Sequence, residues 1–187
     1  MRGLKGSVLF LLFLAIVSLF GCGGSKPTEP TGGGDNQGGG TQLVIPKLYI
    51  NEFMASNRKT LADEYGEYDD WIEIYNDEDR DVRLLGLYLT DNLRIPDKWP
   101  FPDVTIKAKG FIIVWADGTP DQGVMHASFK LSKTGEEIGL VASDGKTVID
   151  SVKFRTQQPD ISFGRYPDGG IDWFECIPTP GKPNRRR

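Results

Sequence analysis

The segment Asp69–Asn76 reads DDWIEIYN and contains the pattern from which the fold is inferred. Successive side chains of a β-strand point to opposite faces, so Ile72 and Ile74 share one face while Trp71 and Tyr75 share the other. Both faces therefore carry large apolar groups. This arrangement predicts a central strand of a β-sandwich, covered on both sides.

Glu73 is the charged residue in the middle of this strand. A carboxylate between Trp71 and Tyr75 needs a partner, because burying an unpaired charge is costly. A backbone amide, a hydroxyl group and Arg165 are the partners that the sequence leaves open.

Short apolar segments recur along the rest of the chain at intervals of roughly ten residues, as in all-β sandwiches. Asp144-Gly145 and Asp168–Gly170 each separate two such segments and predict hairpin turns. The run Phe111–Ala116 predicts a buried strand. The sequence thus predicts an all-β sandwich of about nine short strands.

Three expectations concern individual segments of this sandwich. The first strand is expected to place Leu48, Ile50 and Met54 on one face. The leucine-rich segment Val82–Asp91 is expected to form one strand. Asn92–Pro102 contains three prolines and is expected to be a long loop.

Residues 1–21 have the form of a signal peptide, with basic residues before the 14-residue apolar run Ser7–Phe20. That run is shorter than the ~20 residues of a membrane-spanning helix. Leu19–Cys22 resembles the lipobox of bacterial lipoproteins, which implies that Cys22 becomes the first mature residue and carries the lipid. An ordinary secretory signal, cleaved after Gly21 or Gly24, is the alternative.

The mature chain is predicted to have two parts. Residues 22–42 comprise the lipidated Cys22 and a linker with eight glycines and two prolines, too polar to form a core. A flexible linker of this length spans roughly 25 Å. Residues 43–187 suit a single domain with one core.

The charge of the mature chain argues against nucleic acid as a partner. Removing Arg2 and Lys5 with the signal peptide changes the net charge from −4 to −6, whereas nucleic-acid affinity depends on neutralising phosphates. The basic end Arg185–Arg187 is the local exception and is interpreted as a solvated terminus, with anionic lipid or glycan as the alternative.

The sequence predicts neither catalysis nor a cofactor. His126 is the single histidine, so a Ser-His-Asp triad would have to use it, and it is interpreted as a hydrogen-bonded loop residue. Cys176 is interpreted as a small buried apolar residue.

Five carboxylates, including Glu64, crowd into eight positions between Asp63 and Asp70. Calcium takes six to eight oxygen ligands from such loops, which makes Asp63, Glu67, Asp69 and Asp70 weak calcium candidates. A solvated acidic loop is the favoured interpretation, and no metal site is predicted.

Four aromatic residues lie in or next to expected loops and form the candidate binding surface: Trp99, Tyr65, Tyr68 and Trp173. Such side chains stack on sugar rings or anchor protein partners. Plugging the ends of the sandwich is the alternative role.

Several motifs in order resemble the lamin tail domain, over about Leu48 to Asn184. They are Ile50–Asn57, Asp70–Asn76, Leu85–Asp91, His126–Ser132, Gly135-Glu136, Asp150–Val152, Ser162–Gly169 and Pro178–Gly181. The resemblance implies an immunoglobulin-like sandwich with a role in binding or assembly and supplies no catalytic residues.

Together these features predict a non-enzymatic lipoprotein of a bacterial cell envelope, anchored to a membrane on its periplasmic or surface face. Its partner is expected to be an envelope protein or a glycan. The alternative is a calcium-dependent or hydrolase-accessory protein that uses the acidic loop near Asp70.

Overall fold

The computed structural model describes residues 43–187, so the signal peptide, Cys22 and the linker lie outside the described residues. Within residues 43–187 the secondary structure consists of strands and turns, and this part contains no helix that could cross a membrane. The twelve strands are β1 (Leu48–Met54), β2 (Trp71–Asn76), β3 (Val82–Arg83), β4 (Tyr88–Thr90), β5 (Trp99–Pro100), β6 (Thr105–Ile106), β7 (Phe111–Trp115), β8 (Glu137–Val141), β9 (Val148–Lys153), β10 (Ser162–Arg165), β11 (Trp173–Ile177) and β12 (Arg185–Arg186).

The strands form an antiparallel sandwich, as the sequence predicts. One sheet has the order β12-β11-β10-β1-β2-β7, a second has the order β5-β4-β8-β9, and β3 pairs with β6. Side chains from both large sheets share one core, which fixes the two sheets face to face. The largest fully buried members of that core include Phe53, Leu48, Ile50, Ile72, Ile74, Leu89 and Ile138.

Strand β2 lies between β1 and β7 and is buried along its whole length, which confirms that it is central. Ile72 and Ile74 point into the shared core. On the opposite face, Trp71 packs with Met54 and Trp115 in a second, smaller cluster. Both faces of this strand carry large residues because side chains from other parts of the domain pack against both faces.

A β-bulge in β1 changes the predicted alternation. The pairing with β2 shifts between Ile50 and Glu52, so one extra residue is accommodated there. As a result Phe53 joins Leu48 and Ile50 in the core, and Met54 turns to the opposite face. The expectation that Met54 shares the face of Leu48 and Ile50 was wrong, because a one-residue slip exchanges the two faces of a strand.

Three other segments differ from expectation. Val82–Asp91 is not one strand: a turn at Leu84–Leu87, with Gly86 at a φ of 89°, separates β3 from β4. The loop Asn92–Pro102 contains the two-residue strand β5. Strand β7 lies at the end of its sheet and buries only its last two residues fully, so Phe111–Ala116 is not a fully buried strand.

Both predicted hairpins are present. The turn at Asp144-Gly145 joins β8 to β9, and the turn at Asp168–Gly170 joins β10 to β11. The chain then returns after its prolines, and the backbone of the basic end Arg185–Arg187 pairs with β11, where it forms β12. Its side chains are exposed, and Arg186 lies 3.9 Å from the ring centroid of Phe174.

Candidate functional site

The loop between β1 and β2 is folded around Asn57. The side-chain amide of Asn57 donates to the carbonyl oxygen of Asp69 at 2.8 Å, and its oxygen accepts from the backbone amide of Thr60 at 3.0 Å. Asp160 stabilises the same loop by accepting hydrogen bonds from the backbone amides of Arg58 and Lys59. Side-chain bonds to backbone groups thus give a segment without regular secondary structure one conformation.

Asp63 organises the tip of this loop. Its Oδ1 accepts from the backbone amides of Tyr65 (2.9 Å) and Glu67 (2.8 Å). Its Oδ2 is buried and has no hydrogen-bond partner among the described residues, and the same holds for Oδ2 of Asp69. Two carboxylate oxygens are therefore withdrawn from water without a donor, which is an unusual arrangement.

The structure brings together three of the four weak calcium candidates. One oxygen each from Asp63, Glu67 and Asp69 lie within 4.8 Å of one another. Burial raises the pKa of Asp69, and the neighbouring carboxylates Asp117, Asp63 and Glu67 raise it further. Asp70 is not part of this group, since its Oδ1 accepts from the backbone amide of Asn57, and burial raises its pKa to about 6.

A histidine-carboxylate pair faces the same loop tip. The His126 side chain is fully buried, and its Nδ1 lies 2.6 Å from Oδ2 of Asp117. Its Nε2 lies 3.2 Å from Oε1 of Glu64. Burial opposes protonation of the ring, but the hydrogen bonds to Asp117 and Glu64 prevail and raise the pKa of His126. His126 is thus a hydrogen-bonded loop residue, as the sequence indicates.

The four predicted binding aromatics do not form one surface. Tyr65 and Tyr68 are exposed, at 59% and 48%, near the acidic loop tip. Trp99 is buried, with its ring centroid 4.9 Å from that of Phe101, so its assignment to an exposed surface was wrong. Trp99 belongs to β5, which pairs with β4, so this segment lies on the sandwich instead of projecting into solvent.

Trp173 is half-buried, so it too contributes little to an exposed surface. It stacks on Phe163 at 5.6 Å, and the Arg165 guanidinium lies 4.7 Å from its ring centroid. This places Trp173 in the packing of the six-stranded sheet.

A polar clasp lies across the bulge in β1 and consists of four buried residues and the half-buried Asp168 (Asn51, Glu52, Glu73, Asp168 and Asn184). Glu73 accepts from the Asn51 amide at 3.1 Å and from the backbone amide of Gly181 at 2.6 Å. Glu73 therefore has two partners. One is a backbone amide, which is among the three alternatives that the sequence leaves open, and the other is the side-chain amide of Asn51. Burial raises the pKa of Glu73 to about 8.

Arg165, another of the alternatives, pairs instead with Asp150 at 2.8 and 2.9 Å. It also donates to the carbonyl oxygen of Ile50 at 2.8 Å. Cys176 is buried, and burial raises the pKa of its thiol to about 11, as expected for a residue that serves packing.

Neither the clasp nor the pair of Asp117 and His126 was anticipated from the sequence. The members of the clasp are up to 133 residues apart, as for Asn51 and Asn184. The available signals were polar residues in strand positions, Asn51 and Glu73, and a lone histidine. Those signals predict a partner without saying which one.

The family comparison agrees with this architecture. Residues 42–156 match the model of the Lamin Tail Domain family, whereas no curated protein matches the chain. The match includes the central strand β2, the acidic loop and His126, and it ends before β10. With more than half of its length matched, the chain belongs to the lamin tail domain family.

Proposed function

We propose that the protein is a non-enzymatic lipoprotein of a bacterial cell envelope whose sandwich is a binding module for an envelope protein or glycan. The observation that carries this proposal is the family match, because the lamin tail domain is a non-catalytic immunoglobulin-like domain that serves as an interaction module. The signal-like residues 1–21 and the lipobox-like segment Leu19–Cys22 support the envelope location.

The exposed side of the acidic loop is the part of the sandwich that best suits such binding. Tyr65 and Tyr68 offer aromatic surface to solvent. The hydroxyl of Tyr65 donates to the carbonyl oxygen of Gln122 at 2.7 Å, so this ring is held in place before a partner arrives. Rigid, exposed tyrosines contribute binding area at a low cost in conformational entropy.

Lipidation is tested with Cys22→Ser. The substitution is expected to release the protein from membranes, because each buried CH₂ group of an acyl chain contributes about 0.8 kcal/mol to membrane binding. Cys176→Ser is the matched control, since Cys176 is buried in the sandwich. Mass spectrometry of the wild-type protein should show an acylated Cys22; an unmodified Cys22 in membrane-bound mature protein would contradict the proposal.

Binding is tested by cross-linking the full chain in intact envelopes. Tyr68→Ala, which removes an exposed ring, is expected to abolish a cross-linked product that the wild type forms. Ile171→Ala removes a still more exposed apolar side chain, at 88%, from the connection between β10 and β11 and should leave that product unchanged. Products equally abundant in all three proteins would exclude the acidic loop as the contact surface.

A further inference from the structure

We propose that Asp63, Glu64 and His126 form a binding site for a divalent transition-metal ion, with Zn²⁺ as the reference ion. One ligand atom from each residue lies within 4.8 Å of the others. Zn²⁺ accepts imidazole nitrogen and carboxylate oxygen, commonly from three protein residues with a water as the fourth ligand. The proposed site lies where His126 faces the tip of the acidic loop, and the proposal does not depend on which partner the protein binds.

The imidazole distinguishes this cluster from an ordinary group of surface carboxylates. The His126 side chain is 0% exposed, and Asp117 accepts a hydrogen bond from its Nδ1–H group. In the neutral ring the lone pair of Nε2 then points at Glu64 Oε1, which is itself an acceptor. A buried nitrogen whose hydrogen-bond partner among the described residues is a carboxylate requires either a second proton or a cation.

The distances suit the cation. Two ligands bound to Zn²⁺ at about 2.0–2.1 Å in a tetrahedron lie about 3.3 Å apart. The separation of 3.2 Å between His126 Nε2 and Glu64 Oε1 is close to that edge. Asp63 contributes the third ligand, a second carboxylate, and its buried Oδ2 lacks a donor. Two carboxylates and one neutral imidazole balance the charge of a divalent ion.

The surroundings of the three ligands are those of a metal site. Asp117, held by the backbone amide of Thr119 at 3.0 Å, fixes the tautomer and orientation of His126. Carboxylates commonly position metal-binding histidines in this way. Gly123 allows the close approach, because a Cβ atom there would lie 2.8 Å from Glu64 Oε1 and 2.9 Å from His126 Cδ2.

The single histidine makes a direct test feasible. Full-length protein, purified without a polyhistidine tag and labelled with ¹⁵N-histidine, is expected to show one pair of imidazole nitrogen signals. Adding Zn²⁺ should shift the Nε2 signal strongly, with a stoichiometry of one ion per chain in calorimetry. An Nε2 signal that is unchanged by Zn²⁺ would overturn the proposal.

Variants then identify the ligands. Glu64→Gln, at a side chain that is 57% exposed, removes a ligand with little risk to folding and should weaken Zn²⁺ binding at least tenfold. Asp117→Asn should weaken it about 10- to 100-fold through the orientation of His126. Asp121→Asn, an exposed carboxylate of the same segment, should leave the affinity unchanged.

Two other results would overturn the site. Zn²⁺ binding that survives Glu64→Gln would place the ion elsewhere in the chain. Binding of Ca²⁺ that depends on Glu67 and Asp69 while the His126 signals stay unchanged would instead indicate an oxygen-only site at the same loop tip.

Discussion

At the residue scale, the most unusual feature is a carboxyl group enclosed by the sheet. Glu73 is 0% exposed, and both of its oxygens accept hydrogen bonds. Burial nevertheless has the largest effect and raises its pKa from 4.5 to about 8. Glu52, across the bulge, shows a shift in the same direction and for the same principal reason.

This shift predicts that stability depends on pH through Glu73. The unfolded chain releases the proton near pH 4.5 and the folded chain near pH 8, so the folded state binds more protons between those values. The free energy of unfolding should therefore fall as pH rises through this window, by at most about 1.4 kcal/mol per pH unit.

Urea denaturation between pH 5 and pH 8 measures the effect. Glu73→Gln cannot titrate and should have a shallower slope than the wild type. Glu175→Gln, at an exposed position, should keep the wild-type slope. Parallel slopes for the wild type and Glu73→Gln would show that Glu73 does not titrate in this range.

Trp99 provides a second prediction at this scale. Because its side chain is 6% exposed and belongs to the main core, Trp99→Ala should lower the free energy of unfolding by about 3–5 kcal/mol. Tyr68→Ala, at an exposed loop position, should change it by less than about 0.5 kcal/mol. Chemical denaturation of both variants is the measurement; equal stabilities would contradict the buried position of Trp99.

At the element scale, the C-terminal strands complete a sheet that the family match leaves unfinished. The match ends at residue 156, but β10 pairs directly with β1 in the middle of the six-stranded sheet. Asn184 then donates to the carbonyl oxygens of Asn51 and Arg165, at 2.9 Å each. The segment after β11 therefore closes the clasp over the bulge.

Truncation is expected to separate these contributions. A chain ending at Thr156 loses β10 to β12 and exposes one long edge of β1, so it should fail to fold and should aggregate. A chain ending at Asn184 loses only the exposed Arg185–Arg187 and should remain folded. Circular dichroism and size-exclusion chromatography distinguish the outcomes; a folded, monomeric chain ending at Thr156 would mean that β10 is dispensable.

At the scale of the whole molecule, the main core is built from both large sheets, so the described part is expected to unfold as one cooperative unit. The core cluster contains Ile50 and Ile72 from one sheet and Leu89, Ile138 and Leu140 from the other. Neither sheet buries its inner face without the other. Small single domains of this kind usually unfold in one transition.

Hydrogen exchange tests this expectation. Amides of β2 and β8, one central strand from each sheet, should lose protection at the same denaturant concentration and with the same free energy of opening. Amides of β12 should exchange earlier, since it is a short terminal strand at the edge of its sheet. Loss of protection in β8 well before β2 would show that the sheets unfold separately.

Much of the architecture follows from local patterns. The alternation around Ile72 and Ile74 predicts the central strand, and Asp144-Gly145 predicts a hairpin, because both depend on neighbours in the chain. The bulge at Asn51 and Glu52 does not follow from such patterns. The residue types in β1 carry no sign of the bulge, yet the bulge decides that Phe53 lies in the main core and Met54 on the opposite face.

The features of the candidate site also separate into those that the sequence predicts and those that depend on the tertiary structure. The sequence by itself determined that acidic residues crowd the loop before β2, that Glu73 needs a partner and that one histidine is present. Only the tertiary structure decided that Asp63 and Glu64 meet His126, that Gly181 supplies an amide to Glu73 and that Trp99 is buried. Strand alternation and turn chemistry act between neighbours in the chain, whereas these contacts depend on how distant segments pack in three dimensions.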